Sequence, residues 1–391
     1  MPESADLQLS GLLSDMAARG RALRFCVVGA GHGGLCMAGH LGLMGFSVKL
    51  YNRSEENLRA VRWQGGVTLS GAVEGFGPVE LATTDMNRAL ADVDVVMVVT
   101  PATAHRALAR LMAEHLQVGQ IVVLNPGRTG GALEFRRIIQ ELRGPFNGVI
   151  AEAQTFVYAS RALSRGEGHI FKIKNAVPLA TLPSCWIPST LAVLDQAFPS
   201  FVAGNNVLST SLENIGAVFH PALTLLNAGW IEATGGDFEY YLQGITPSVA
   251  HILEGVDAER IAVATALGLQ SVSAREWLYR TYDSPGATLY DAIRNTGAYV
   301  GIKAPPTIAH RYIWEDVPMS LVPMASLGRL LGISTPTIDL VIDLACRLHR
   351  KDYRAEGRHV VDMGLQGLSV KQIQQLAAGV VVSPAETKEG T

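Results

Sequence analysis

Up to about residue 205 the apolar positions fall in short unbroken runs; beyond it they widen into helix-spaced sets interrupted by Gly and Pro. RFCVVGAG is an apolar run closed by glycines and predicts a buried strand. HGGLCMAGHLGLMGF predicts a helix whose small residues permit close packing, and SVKLYNRS predicts a second strand. Together they make a β-α-β unit of about thirty residues. VTLSG and VELAT read as short added strands. VDVVMVVTP and QIVVLNPG read as further buried strands, each followed by a helix, the second helix running through LEFRRIIQELR. GVIAEAQT and HIFKIKNAVPLATLP add more strands. Strand and helix patterns in succession predict an α/β fold, a Rossmann-type doubly wound and mainly parallel sheet, followed by an all-helical C-terminal domain. Ahead of the first strand, Leu9, Leu12, Leu13 and Met16 have the spacing of a short amphipathic helix. The expected division is an accessory segment 1–20, a dinucleotide-binding domain 21–204, a helical domain 205–380 and a polar tail 381–391.

Composition narrows the class. A chain of 391 residues exceeds one core and suits two domains. With 48% hydrophobic and 17% charged residues it is a folded protein. A net charge of -3 argues against nucleic acid as its partner. Cys26, Cys36, Cys185 and Cys346 lack metal-ligand spacing and suggest no disulfide framework, so no metal and a cytoplasmic setting are expected. No signal peptide is visible, and no run reaches the roughly 18 apolar residues of a membrane span. A homodimer is compatible with the sequence, and residues 1–20 could pack on a partner subunit.

Gly29-Ala30-Gly31-His32-Gly33-Gly34 carries the G-x-G-x-x-G spacing between a strand and a helix. That context predicts dinucleotide binding, with Gly29 for the turn, Gly31 for approach of a pyrophosphate, and Gly34 for close packing. The second strand ends in Asn52, Arg53 and Ser54, where NAD sites usually carry an acid for the ribose hydroxyls. Arg53 can pair with a 2′-phosphate and Ser54 can add a hydrogen bond, so NADP is expected over NAD. The bland reading makes Arg53 a solvated surface residue and Ser54 a helix cap. Thr100-Pro101 and Asn125 end two later strands and should rim the nicotinamide end; Arg128 either meets a substrate or cofactor charge or packs at a helix entry.

His220 stands in the apolar run VFHPALTLLNAGW. A lone histidine there would ordinarily be a core residue. Its place just past the domain crossover points toward a cofactor groove. Pro221 disfavours the helical region at His220 and predicts a helix start or a kink. No lysine lies between Lys174 and Lys303 to donate a proton instead. Histidine suits that work because it titrates near neutral pH and needs a partner to fix its tautomer. Glu213, Glu232, Asp237, Glu315 and Asp316 are the acidic candidates.

NPGRTGGALEF, AEAQTFVYASR, FHPALTLLNAGWIE, HRYIWEDVPMSLVP and GRHVVDMGLQGLSVKQIQQLAAG, in that order, resemble segments of the octopine/nopaline (opine) dehydrogenases over roughly residues 24–380. The resemblance implies reductive condensation of an amino acid with a 2-oxo acid through an imine. It also implies that His220 works with Asp316 as the catalytic pair, and that Arg311 holds a substrate carboxylate. Family members often carry asparagine four residues before the histidine; Gly216 stands there, with Asn214 close by. Gln154 and Thr155 are further substrate-contact candidates, strand-end hydrogen bonding being their alternative role. Two other readings use the same residues: an NADPH-dependent 2-keto or cyclic-imine reductase, and an NADP(H)-binding sensor without turnover.

Overall fold

The computed structural model describes the backbone of residues 2–380 and the side chains of 5–380; the expected tail 381–391 lies outside the described residues. The chain divides into two compact units, one running to Thr210 and taking in the segment from Gln375, the other running from Ser211 to Gln374.

The first unit is built on an eight-stranded sheet. Its strands are β1 (Arg24–Val28), β2 (Ser47–Tyr51), β5 (Leu81–Thr83), β6 (Val95–Val98), β7 (Ile121–Leu124), β8 (Val149–Ala153), β11 (Val177–Leu182) and β12 (Phe201–Ala203), in the spatial order β12-β11-β8-β7-β6-β1-β2-β5. β6, β7 and β8 are buried along their whole length, which is why they read as continuous apolar runs. Only β11 runs antiparallel to its neighbour β8. β1 lies between β2 and β6, so the chain order reverses on either side of it; the loop after β1 therefore opens into the crevice where such sheets bind ligands.

A second, four-stranded sheet was not legible as such in the sequence. It joins β3 (Gly66–Gly71), β4 (Gly75–Pro78), β9 (Tyr158–Ala162) and β10 (Glu167–Ile173) in the order β4-β3-β10-β9. HIFKIKNAVPLATLP is thus split between two sheets, its first half lying in β10 and its second in β11. The helix after β1, α2 (His32–Leu43), packs against this small sheet, with Gly39 against Val67 and Leu69.

The N-terminal helix α1 (Pro2–Ala18) belongs to the first unit. Its stripe of Leu9, Leu13 and Met16 is buried in that unit's core. Gln196 donates to the carbonyls of Met16 and Ala17 at 3.1 and 3.0 Å, closing the last turn. Burying each such side chain contributes roughly 1.5–3 kcal/mol, so α1 is part of the fold rather than an appendage.

The second unit is helical, and a single bridge between Glu239 and Lys303 is the β pairing among its described residues. The helix Pro247–Ala266 carries a buried network inside it. Arg260, fully buried, donates to Asp257 at 2.7 and 2.9 Å and to the Leu212 and Val272 carbonyls, while Asp257 accepts from the Ala274 amide at 2.7 Å. Every strong donor and acceptor is matched, which is what permits burial of the charges. The four cysteines are free, and no described helix is long and apolar enough to cross a membrane.

Candidate active site

The glycine loop follows β1 with the backbone such a loop requires. Gly29 has φ +113, and a Cβ there would lie 2.5 Å from the Val99 carbonyl oxygen. Gly34 rests on Gly29: its Cβ would sit 1.7 Å from the Gly29 oxygen. Gly31 has open space where a side chain would project, which is the room a pyrophosphate needs at the start of α2. Gly33 faces the Phe156 ring and is a packing position. His32 is exposed and its Nδ1 accepts from the Ala162 amide at 3.0 Å, tying the loop to β9. Asn52 bridges two parts of the crevice. Its Oδ1 accepts from Ala30 N–H at 3.1 Å, and its Nδ2 donates to the Ser54 carbonyl at 3.0 Å. Arg53 and Ser54 are exposed just beyond β2, and the Ser54 hydroxyl makes no capping bond, so the cap reading of Ser54 is set aside. At the ends of β6 and β7, Thr100 Oγ1 and Asn125 Oδ1 are buried without a hydrogen-bond partner, while Pro101 is exposed beside Thr100. Buried polar atoms without partners are rare in a native protein. Here they mark where a polar cofactor group fits, and with the open cradle at Gly31 they suit a nicotinamide dinucleotide.

The second cluster lies in the helical unit. His220 is inside the helix Ile215–Leu226, not at its start; the helix continues through Pro221. Of the helix start or kink expected there, the start is excluded. Pro221 lacks the N–H that would bond back to residue 217, and local side chains reinforce the turn around it. The Thr224 hydroxyl donates to the His220 carbonyl at 2.7 Å and the Tyr240 hydroxyl reaches the same oxygen at 3.1 Å.

His220 Nδ1 lies 2.9 Å from Asp316 Oδ2, with Asp316 almost wholly buried and His220 only 19% exposed. The carboxylate accepts from Nδ1–H and leaves Nε2 outside that bond. Asp316 directly precedes a π-helical turn, Val317–Leu321, one of the wide turns that often mark functional sites. Tyr312 stacks on the imidazole at 4.0 Å and 18°, and Tyr240 stacks behind Tyr312 at 5.5 Å. Gly216 is one turn before His220, and a Cβ there would come within 3.1 Å of His220 Cε1, so glycine leaves the ring its room. Asn214 donates to the Ser320 hydroxyl at 2.9 Å.

The two neighbouring acids are separated by their partners. Glu315, fully buried, accepts from Arg311 Nε at 2.8 Å and Nη2 at 2.6 Å. One edge of the Arg311 guanidinium is thus engaged by Glu315, while its side chain stays 47% exposed. His310 accepts from the Tyr312 amide and packs edge-on to the Tyr312 ring at 4.3 Å. Burial, followed by the Arg311 charge, draws its pKa below the ordinary imidazole value. Of the other acids considered, Asp237 is exposed and bound to Lys303 at 2.8 Å, Glu232 is exposed, and burial raises the Glu213 carboxyl above its ordinary pKa.

Gln154 and Thr155 follow β8 in the first unit. The Gln154 amide donates to the Pro178 carbonyl at 2.9 Å, the strand-end bonding considered above, and the Thr155 hydroxyl accepts from Lys174 at 2.7 Å. Lys174, Tyr312, Tyr240 and His310 escaped sequence reasoning. The one available signal was the helical spacing of Tyr312 from Asp316 and of Arg311 from Glu315.

A doubly wound sheet with a glycine loop after its first strand, joined in one chain to a helical unit carrying a His–Asp pair, defines the class of nicotinamide-dependent oxidoreductases. Residues 203–349 match the family described as NAD/NADP octopine/nopaline dehydrogenase, alpha-helical domain, and residues 24–127 match the NAD-dependent glycerol-3-phosphate dehydrogenase N-terminus. An opine dehydrogenase of Arthrobacter sp. (strain 1C) is 40% identical over 351 residues, 90% of this chain and 97% of that protein. The solved octopine dehydrogenase with NADH and L-arginine is 21% identical, with a TM-score of 0.77 over 93% of this chain and 99% of the other. Yersinopine dehydrogenase with NADP+ bound is 16% identical, with a TM-score of 0.66 over 92% and 98%. The chain belongs to the octopine/nopaline (opine) dehydrogenase family. It is an NAD(P)-dependent oxidoreductase of the type that acts on CH–NH donors.

Proposed function

We propose that the protein uses NADPH to join an amino acid to a 2-oxo acid, with His220 as the proton-transfer residue and Asp316 as its positioning partner. The observation that carries the roles is the 2.9 Å contact between His220 Nδ1 and a buried Asp316 oxygen. His220 Nε2 takes a proton from the amino acid ammonium, freeing the amine to add to the keto carbon. The same nitrogen returns a proton to the carbinolamine hydroxyl, which leaves as water and gives the iminium ion. Asp316 stabilises the imidazolium in between and prevents the ring from turning. The outer face of Arg311 pairs with the 2-oxo acid carboxylate while Glu315 keeps the guanidinium in place. Glycines 29 and 31, Asn52, Thr100 and Asn125 would hold the cofactor, and the reduced nicotinamide bound there would supply the hydride that turns the iminium ion into a secondary amine. The exposed Arg53 and Ser54, with no acid between Tyr51 and Ser54, support a 2′-phosphate and hence NADPH over NADH.

The test is NADPH oxidation with 2-oxo acids crossed against amino acids, with His220→Ala as control. Consumption that requires both partners and disappears in the variant supports the proposal. Consumption with a single keto or imine compound would make the protein a simple reductase; tight NADPH binding with no turnover on any pair would make it a sensor.

A further inference from the structure

We infer that Tyr240 is a positioning residue for His220, holding the imidazole through two contacts at once: its ring acts through Tyr312, and its hydroxyl acts on the His220 carbonyl. The inference rests on the proton-transfer reading of His220. It adds what Asp316 alone does not supply, a fixed plane for the ring.

Among the described residues, Asp316 holds the imidazole at one point. A single hydrogen bond at Nδ1 selects the tautomer but lets the ring tilt about that contact. Packing closes other sides of the ring. The Tyr312 ring covers one face at 4.0 Å and 18°. Turning the imidazole out of that plane would drive its edge into the tyrosine. On the Cε1 side the backbone of residue 216 stands so close that a Cβ there would come within 3.1 Å. Tyr312 is half-buried on a helix of four residues, Arg311–Trp314, and a helix that short does not hold its side chains in place unaided. The support comes from Tyr240, fully buried, whose ring lies behind Tyr312 at 5.5 Å and 21°.

The second hold is on the backbone. Pro221 has no N–H to give to the Ala217 carbonyl, so the turn that carries His220 lacks one of its own bonds. The Thr224 hydroxyl donates to the His220 carbonyl at 2.7 Å. The Tyr240 hydroxyl lies 2.7 Å from Thr224 Oγ1 and 3.1 Å from the same carbonyl. Two hydroxyl protons thus serve three contacts in a closed triangle, centred on the residue that bears the imidazole. Burial above all keeps the Tyr240 phenol well above its ordinary pKa, so it remains a donor. Tyr240 is itself anchored. Its N–H donates to the Ile302 carbonyl at 2.8 Å, its ring meets Tyr241 edge-on at 5.0 Å, and Tyr241 stacks on Tyr299 at 4.1 Å. One buried side chain therefore ties both the ring and the backbone of His220 to a packed aromatic layer. A displacement of about 1 Å at a reacting group can cost roughly a hundredfold in rate, which is the scale on which such a tie acts.

Steady-state kinetics and proton NMR on the full chain test the brace. Tyr240→Phe keeps the ring and removes the hydroxyl. Thr224→Val breaks the triangle and leaves the stack. Tyr240→Leu removes both holds. We expect kcat to fall about three- to tenfold in the first two and about a hundredfold in the third, with each KM and the NADPH Kd within about twofold of wild type. The Nδ1 proton of His220, identified as the downfield resonance that His220→Ala abolishes, should exchange with water several-fold faster in Tyr240→Phe and be lost to exchange in Tyr240→Leu. No acceleration of exchange, or no fall in kcat, in Tyr240→Phe would overturn the inference, whatever the change in melting temperature. Losses in KM or NADPH affinity as large as the loss in kcat would overturn it too, because they mark a general loosening of the fold. If the wild type condenses no pair of partners, the proton-transfer reading falls, and the exchange rates still decide whether Tyr240 fixes the ring. A wild type without the resonance would lack the His220–Asp316 bond that the brace serves, and the inference would go with it.

Discussion

Among the described residues His220 has one acid partner, and in the proposed mechanism that contact decides which of its nitrogens works. Because Asp316 accepts from Nδ1–H, Asp316→Asn should keep the packing yet offer an amide that can hold the wrong tautomer. We expect kcat to fall about 10²–10⁴-fold with the NADPH Kd unchanged, measured by steady-state kinetics and fluorescence titration. A fall in cofactor affinity of the same size would show the pair to be structural instead. At this scale the sequence revealed the histidine and a short list of acids. Spacing did not separate Glu315 from Asp316, and the family resemblance alone pointed to Asp316, because that choice is made by Arg311 one helical turn away and by the histidine helix arriving from a distant part of the chain. The Lys174–Thr155 contact stayed hidden for a similar reason: Thr155 follows a different strand.

Among the elements, those with a strong period were legible. The fully buried strands β6 and β7 and the leucine stripe of α1 follow directly from their apolar spacing. The small sheet was not, because β4 is GFGP, with glycine and proline where alternation should be, and β9 is half polar. The histidine helix misled for the opposite reason. A proline normally ends a helix, and here tertiary packing together with Thr224 and Tyr240 carries the helix through. Two elements give stability predictions. Leu13→Ala removes a fully buried side chain of α1 and should cost about 2–5 kcal/mol in denaturant unfolding. Asp257→Ala leaves Arg260 buried without its counter-charge and should cost about 3–5 kcal/mol, whereas Glu232→Ala, at an exposed helical acid of the same unit, should change little. A loss under 1 kcal/mol at Asp257 would mean that water reaches the guanidinium.

For the molecule as a whole, alternating strands and helices giving way to helices alone was enough to define the class, and the ordered family-like segments were enough to define the reaction type. The cofactor's second phosphate was read from a missing acid, and that reading has a direct check. Arg53→Ala should raise the Kd for NADPH at least tenfold, the loss expected for one charge-assisted contact to phosphate, and leave NADH binding nearly unchanged. Equal losses for both would place Arg53 on the adenine rather than on the phosphate.

Asn52 gives this preference an evolutionary dimension. Its side-chain oxygen fastens the glycine loop at Ala30, and its amide nitrogen fastens the backbone at Ser54. Aspartate has the same shape and would keep the first bond, give up the second, and bring a carboxylate to the end of β2. Asn52→Asp should therefore raise the ratio of kcat/KM for NADH to that for NADPH without loosening the loop. On that expectation, descendants of this protein could move between cellular pools of reducing power by exchanging one nitrogen atom for oxygen.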